Sequence, residues 1–365
     1  MTVTDPCDVL NDPDRLGPTW SFDWSRRPAG ERRRLLGSLG EREFPTSGTD
    51  GRPAIWRRTG DQLRQEVRQT LAVLPPEIDC VHSTVPPSSL YGYVFTSLVA
   101  ASLGVPCRYD RWAQFGMPIT GGSPLVVTVP PTWRMIAPAL DAAGAERITV
   151  VHAGSVLPGQ AAAAVAGAPV DCFLELFGAT EVGLVAHRAA TPGISRDPWT
   201  VVGDVAVPPA AAAEQLLTVD SPRVGFRPGR PGPGRHTLDD WVVVVDDRSF
   251  LFLGRRQRRC KVGGAAVDLD ELEARIGQAI SAEVMCSPIL DAALGEHIEL
   301  SFVLPDWAAS PDDVRAALVA ADLRILPRQI VQIAQIDRSP MGKPRRLKPP
   351  SPDGICMTRS SSDAR

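Results

Sequence analysis

In the middle of the chain, short apolar runs alternate with alanine-rich stretches, and this alternation limits the possible folds more than any single residue does. Leu125 to Val129, Ile148 to Val151 and Cys172 to Leu176 have the length and composition of buried strands, and the stretches between them read as helices. That rhythm predicts an α/β fold, a sheet layered with helices. Upstream, Thr59-Gly-Asp-Gln62 has the spacing of a capping box and Leu63, Val67 and Leu71 recur four residues apart, which predicts an amphipathic helix fed by the loop before it. Ser221 to Arg235, rich in Pro, Gly and Arg, reads as a long loop.

Beyond Gly254 the character changes. Val262 to Val267 and Ile298 to Leu304 read as strands, Asp268 to Glu271 opens a helix carrying Leu269, Leu272, Glu273 and Ile276 on one period, and Ser310-Pro311-Asp-Asp313 opens another. A small α+β unit of about a hundred residues follows, the size of an independent domain. With 365 residues the chain has room for about two domains. The expected layout is a leader over 1–43 with two isolated tryptophans, Trp20 and Trp24, in irregular structure or a short helix, a main domain over 44–253, a second over 254–350 and a flexible tail over 351–365.

A net charge of -3 and the lack of a basic stripe argue against nucleic acid or an anionic membrane as partner. No apolar run approaches the roughly 20 residues that cross a bilayer, and the N-terminus carries no basic segment followed by an apolar one. The seven cysteines are odd in number and never in a C-x-x-C pair, so neither a disulfide framework nor a structural zinc is expected. A cytoplasmic protein with reduced thiols fits these features, as monomer or homodimer.

Of the 39 basic residues only Lys261, Lys343 and Lys348 are lysines. A chain that uses arginine for solvated charge and keeps a lysine elsewhere has a use for a compact ammonium that a planar guanidinium cannot serve, such as insertion beside a phosphate. Lys261 and Lys343 are therefore singled out, and Lys348 in a polar segment is not.

Two stretches carry chemistry. Phe44-Pro-Thr46-Ser47-Gly48-Thr49-Asp50-Gly51-Arg52-Pro53 gathers hydroxyls and glycines into one turn able to wrap a phosphate, although such turns are also common on surfaces. Phe177-Gly178-Ala179-Thr180-Glu181 follows a strand-like run and sets an aromatic, a hydroxyl and a carboxylate where open α/β sheets bind ligands. The aromatic suits a purine face and the glutamate an Mg²⁺. The plainer reading is a helix start, with Thr180 as N-cap and Glu181 in the first turn.

With these residues the chain resembles the adenylate-forming ANL superfamily of acyl-CoA synthetases, peptide-synthetase adenylation domains and luciferases. Thr46 to Pro53 looks like its phosphate loop and Phe177 to Glu181 like its aromatic-Gly-x-Thr-Glu motif. Ala153-Gly154-Ser155 resembles the adenine-side loop, Asp240 ahead of Gly254-Arg255 the ribose-binding aspartate, and Cys260-Lys261-Val-Gly263-Gly264 the hairpin opening a mobile C-terminal domain. Pro340-Met-Gly-Lys343 resembles the loop with the catalytic lysine. The matches are collinear over about Thr46 to Lys348. The resemblance implies an ANL-type N-terminal domain of layered sheets and helices, with the large subdomain that usually precedes the phosphate loop nearly absent, plus a small mobile α+β lid. It is nearest the compact ligases related to the 4-coumarate-CoA ligases of photoactive yellow protein systems. Ala54 stands where a lysine is usual, Ser88 and Ser89 where those relatives carry histidine, and Leu238-Asp239-Asp240 replaces Thr-Gly-Asp, so Asp239 competes with Asp240 for the ribose.

The resemblance implies roles. Lys343 would serve the α-phosphate and the attacking oxygen, Thr180 the α-phosphate and Glu181 the Mg²⁺. Thr46, Ser47, Gly48, Thr49 and Gly51 would hold the β- and γ-phosphates of ATP, with Gly154, Ser155, Phe177, Gly178 and Ala179 around the adenine and Asp240 and Arg255 at the ribose. Ser88, Ser89, Tyr91 and Gly92 would line the acid pocket, Lys261, Gly263 and Gly264 would serve lid and acceptor, and Gln257 would be the hinge. Three functions follow. The first is a ligase activating a small aromatic or cinnamic-type acid and passing it to CoA or a carrier-protein thiol. The second is a diazotase that activates nitrite for an aminoaryl acid. The third is a non-catalytic nucleotide or acyl-CoA binder, which has no use for Glu181, Arg255 and Lys343 together.

Overall fold

The protein is described from a computed structural model, covering residues 3, 5–46, 54–111, 116, 118–129, 132–154, 170–189, 197–208, 214–228, 232, 234–262, 265–291, 295–304, 310–321, 323 and 325–337. It divides into two compact units, Met1–Arg258 and Arg259–Arg365.

The first unit is built on an eleven-stranded sheet. From one edge the strands run Thr19–Asp23, Pro106–Asp110, Cys80–Ser83, Pro124–Thr128, Thr149–Ala153, Cys172–Ala179 and Gly183–Ala189. Trp199–Val201, Ser249–Arg255, Arg235–Asp246 and Gln215–Asp220 complete it. Pro106–Asp110 through Cys172–Ala179 are parallel and the flanking strands antiparallel. The central parallel strands Pro124–Thr128 and Thr149–Ala153 set apolar side chains on both faces, as burial on both sides requires. Val127 and Val151 join the large core with Leu63, Val67, Tyr93, Phe95 and Leu98. Val126, Val150 and the partly buried Phe173 point the other way and pack with Trp133, Ile136 and Leu140 of the helix Trp133–Asp141.

The helix Gly60–Val73 forms as its sequence predicts, with Thr59 and Gln62 exchanging both capping-box hydrogen bonds. A second helical segment runs from Leu90 to Leu103, is π-helical over Val94–Val99, and ends at Gly104 with φ 75°.

Two expectations are corrected here. The segment 1–43 is more than a cover of irregular structure or a short helix: beside the short helices Pro6–Asn11 and Ala29–Gly37, Thr19–Asp23 is an edge strand paired antiparallel with Pro106–Asp110, and Trp20 and Trp24 are buried in the main core. Residues 262–267 are not one strand either, because Arg259–Val262 and Ala265–Asp268 pair as a hairpin. In the second unit this hairpin accompanies the three-stranded sheet Glu283–Asp291, Gly295–Val303 and Gln329–Gln332. The helices Leu269–Ile280 and Pro311–Ala320, capped by Asp268 and Ser310, bury Leu272, Ile276, Val314 and Leu318 against it. Among the described residues no helix is long and apolar enough to cross a membrane.

Candidate functional site

The motif Phe177 to Glu181 lies on a hairpin. Cys172–Ala179 runs through Phe177, Gly178 and Ala179 and pairs antiparallel with Gly183–Ala189, so Thr180, Glu181 and Val182 form the turn. No helix starts there, and the helix-cap reading of Thr180 and Glu181 is overturned: both side chains are half-buried at a strand-to-strand turn. A register shift between Phe177 and Gly178 bends the strand before the turn. A Cβ on Gly178 would run into the carbonyl of Gly183, so this close approach requires glycine. The ring of Phe177 packs edge-on or tilted against Trp199, Phe250 and Phe252 at centroid distances of 5.3, 5.4 and 5.7 Å.

The chain on either side of the phosphate-loop sequence forms a second hairpin, Arg42–Thr46 with Ala54–Arg58. It brings Thr46 opposite Ala54, and the Thr46 hydroxyl donates to the Ala54 carbonyl at 3.2 Å. Ser47, Gly48, Thr49 and Gly51, as well as Ser155, Gly263, Gly264 and Lys343, lie outside the described residues. Gly154 closes the end of Thr149–Ala153 with φ 103°.

The two hairpins are joined through the loop 221–226. Arg57 and Phe226 exchange backbone hydrogen bonds of 2.8 and 3.0 Å, and Gly225 N–H donates to the Glu181 carbonyl at 2.8 Å. Beneath the turn lies a group of charges that sequence reasoning missed. Arg58 is fully buried and donates to the Thr180 carbonyl at 2.9 Å and to the Arg223 carbonyl. Arg223, also fully buried, donates to Glu66 Oε2 at 2.5 Å, to Asp204 Oδ2 at 2.8 Å and to the Leu184 carbonyl at 2.7 Å. Glu66 Oε1 accepts from Leu184 N–H at 2.7 Å. Burial pushes the Arg58 guanidinium down to about 10, opposed by Glu66, whereas Glu66 and Asp204 outweigh burial and raise Arg223. One trace was legible: Leu63, Glu66, Val67 and Thr70 share the buried face of the helix Gly60–Val73, so Glu66 interrupts an apolar stripe.

One guanidinium and one imidazole lie within electrostatic reach of Glu181. Its carboxylate acts electrostatically on both Arg58 and His236, and burial holds the His236 imidazole below its ordinary value against that pull. His236 meets the Trp56 ring edge-on at 5.2 Å, which ties the strand Arg235–Asp246 to the same hairpin. Farther along, Asp240 pairs across the sheet with Arg255 and its carboxylate lies 3.5 Å from Arg255 Nε. Strand alternation separates the two ribose candidates, with Asp240 inward and buried and Asp239 exposed. Gln257 sits in the turn Arg256–Arg258 that ends the first unit, and Lys261 lies on Arg259–Val262 opposite Ala266.

The serines of the expected acid pocket differ from one another. The Ser89 hydroxyl donates to the Pro86 carbonyl and accepts from Gly92 N–H, both at 2.9 Å, so it caps the helix Leu90–Leu103 and has no hydrogen left for a ligand. Gly92 sits against the Pro86 carbonyl, where a Cβ would collide. The Tyr91 hydroxyl lies 3.3 and 3.2 Å from the carbonyls of Thr128, the last residue of Pro124–Thr128, and Val151, in the middle of the neighbouring strand Thr149–Ala153. Ser88 remains half-buried, with its backbone N–H turned to the Asp14 carboxylate. Ser89→Ala is accordingly expected to lower the melting temperature by removing a cap worth about 1 kcal/mol, with equal effect on every substrate. A thermal melt and a substrate series check this.

No protein-family model matches the chain. Tyrocidine synthase 2 of Brevibacillus parabrevis is 26% identical over 176 residues, 46% of this chain and 5% of that one. ATP-bound MatB of Rhodopseudomonas palustris superposes with a TM-score of 0.63 at 16% identity, covering 83% of this chain and 66% of MatB. The chain has the adenylate-forming fold. A TM-score of 0.66 at 15% identity relates it also to the anthranilate CoA ligase AuaEII in complex with anthranoyl-AMP, over 83% of this chain and 65% of that one. The chain thus spans under two thirds of each of these proteins.

Proposed function

We propose that the protein is an ATP-dependent, AMP-forming ligase that activates a small aromatic or cinnamic-type acid and passes the acyl group to CoA or a carrier thiol. The observation that carries this is the joining of the Thr46–Ala54 hairpin to the Thr180–Glu181 turn through the loop 221–226, in a fold shared with an ATP-bound enzyme and an aryl-acid ligase. An acid oxyanion attacking the α-phosphorus of ATP meets like charge, so the site must supply positive charge and fixed donors while doing little covalent work. Lys343 provides the ammonium at the α-phosphate and attacking oxygen. The Thr180 hydroxyl donates to the α-phosphate, the Thr46 to Gly51 loop wraps the outer phosphates, and Asp240 with Arg255 holds the ribose.

Among the described residues no group of three or more His, Cys, Asp or Glu forms a closed metal cage. A single carboxylate at Glu181 fits Mg²⁺, which keeps several waters and shares itself between one or two carboxylates and substrate phosphates. Bound there, the ion would neutralise charge building on the phosphates. Glu181→Gln keeps the shape and removes the charge, so the Mg²⁺ concentration for half-maximal rate is expected to rise about tenfold. An unchanged Mg²⁺ titration would remove Glu181 from that role.

Pyrophosphate release with a panel of aryl acids and, separately, with nitrite plus an aminoaryl acid tests the reading. Acid-dependent release supports the ligase. Release only with nitrite would make it a diazotase instead, and no release under either condition would leave a nucleotide binder.

A further inference from the structure

The Thr180–Val182 turn has little to hold it in place by itself. Among the described residues, and apart from the strand ladder, its internal hydrogen bond is Val182 N–H to the Ala179 carbonyl at 3.1 Å, and Gly225 N–H reaches the Glu181 carbonyl from outside the hairpin at 2.8 Å. The Thr180 carbonyl is held by Arg58, and both polar groups of Leu184 are held by Glu66 and Arg223. Arg58 is also the last residue of the strand that leaves the Thr46–Ala54 hairpin. One guanidinium, with no exposure to solvent, thus spans from that strand to the turn carrying Thr180 and Glu181 and reaches two carbonyls, those of Thr180 and Arg223.

We propose that Arg58 is a positioning residue for adenylation, fixing the Thr180–Glu181 turn relative to the strand that leaves the phosphate-loop hairpin. The inference rests on the adenylate-forming reading for its consequence, and on geometry alone for the tether. Stability does not require this arrangement, since well-packed apolar side chains of similar volume often replace buried ion groups without loss. What apolar side chains cannot do is aim donors at two carbonyls from one rigid plane, and lysine, with a single point charge on a flexible stem, cannot do it either. The consequence is kinetic, because a displacement of about 1 Å in a group that orients reacting atoms is enough to cost on the order of 100-fold in rate.

The test uses the full chain and two variants. Arg58→Lys keeps the charge beside Glu66 and loses the fork. Arg58→Met removes the guanidinium and leaves Glu66 bonded to Leu184 N–H and to Arg223, with the Arg223–Asp204 pair in place. Amide hydrogen exchange, read without any substrate, is expected to accelerate by about tenfold or more in Thr180 to Leu184 in both variants and to stay unchanged beyond Arg259, as opening of one weakly held segment requires. In pyrophosphate release, kcat is expected to fall by about 10- to 100-fold while KM for ATP moves far less, the split left by an interaction used in the transition state. Wild-type exchange at the turn in both variants would overturn the tether. So would full turnover in Arg58→Lys, or a rate loss no larger than the loss of folded protein. A wild-type chain inert toward every acid, whose variants still show the local exchange change, would refute the adenylate-forming reading and keep the tether.

Discussion

Lys343→Ala is expected to lower the turnover of acid-dependent pyrophosphate release by at least about 100-fold, the scale of removing one preorganised charge donor from a transition state. With 36 arginines and three lysines in the chain, the ammonium in the Pro-Met-Gly-Lys sequence is proposed to serve a use that a guanidinium does not. Two anionic reactants must approach and a pentacoordinate centre must carry added charge, so the ammonium is worth more in the transition state than in the ground state. The loss should therefore appear in kcat, with KM for ATP little altered and the melting temperature unchanged. Lys343→Arg should rescue poorly, because the proposed role is that of a compact point charge and the guanidinium is bulkier and planar. Pre-steady-state pyrophosphate release separates this from an effect on thioester formation, and near-normal turnover of Lys343→Ala would remove the residue from the reaction.

Arg223→Ala should destabilise the first unit by about 3 to 5 kcal/mol, the cost of removing one partner from a buried ionic group. The substitution leaves the buried Glu66 carboxylate with the Leu184 N–H and the more distant Arg58 at 3.9 Å, and Asp204 with the Gln65 amide at 3.0 Å. It also opens a cavity the size of a guanidinium and its stem, and takes the donor from the Leu184 carbonyl. Tryptophan fluorescence in a urea titration reports mainly this unit, since of the eight tryptophans only Trp307 follows Arg258. A change below about 1 kcal/mol is what an exposed ion pair would give, and it would contradict the buried network.

Local signals carried the fold where local chemistry decides it. The helix Gly60–Val73 was legible because its capping box and its apolar spacing lie within the same few residues, and Asp268 and Ser310 announced the helices they cap for the same reason. The turn Thr180–Val182 leaves a helix start open as the plainer alternative in the sequence because a hydroxyl followed by a carboxylate suits both an N-cap and a hairpin turn. Pairing of Cys172–Ala179 with Gly183–Ala189 decides between them, and that pairing is written in the bulge and the two glycines rather than in Thr180 or Glu181. The edge strand Thr19–Asp23 was invisible because its partner, Pro106–Asp110, is remote in sequence. The ionic tether draws on four separate segments, and only Glu66, charged on an apolar face, left a local mark.

The same contrast applies to the candidate site. Asp239 and Asp240 could not be ranked from composition, yet strand alternation turns one outward and the other toward Arg255. Ser88 and Ser89 looked equivalent, and the helix cap commits the hydroxyl of Ser89 alone.

The most direct test of the account is ATP–pyrophosphate exchange with the full chain, Mg·ATP and labelled pyrophosphate, run with and without benzoate-, anthranilate- and cinnamate-type acids. Label entering ATP only when an aryl acid is present, and lost in Lys343→Ala, is the expected result. Absence of exchange with every acid, in a chain that still binds ATP, would contradict adenylate formation as its activity.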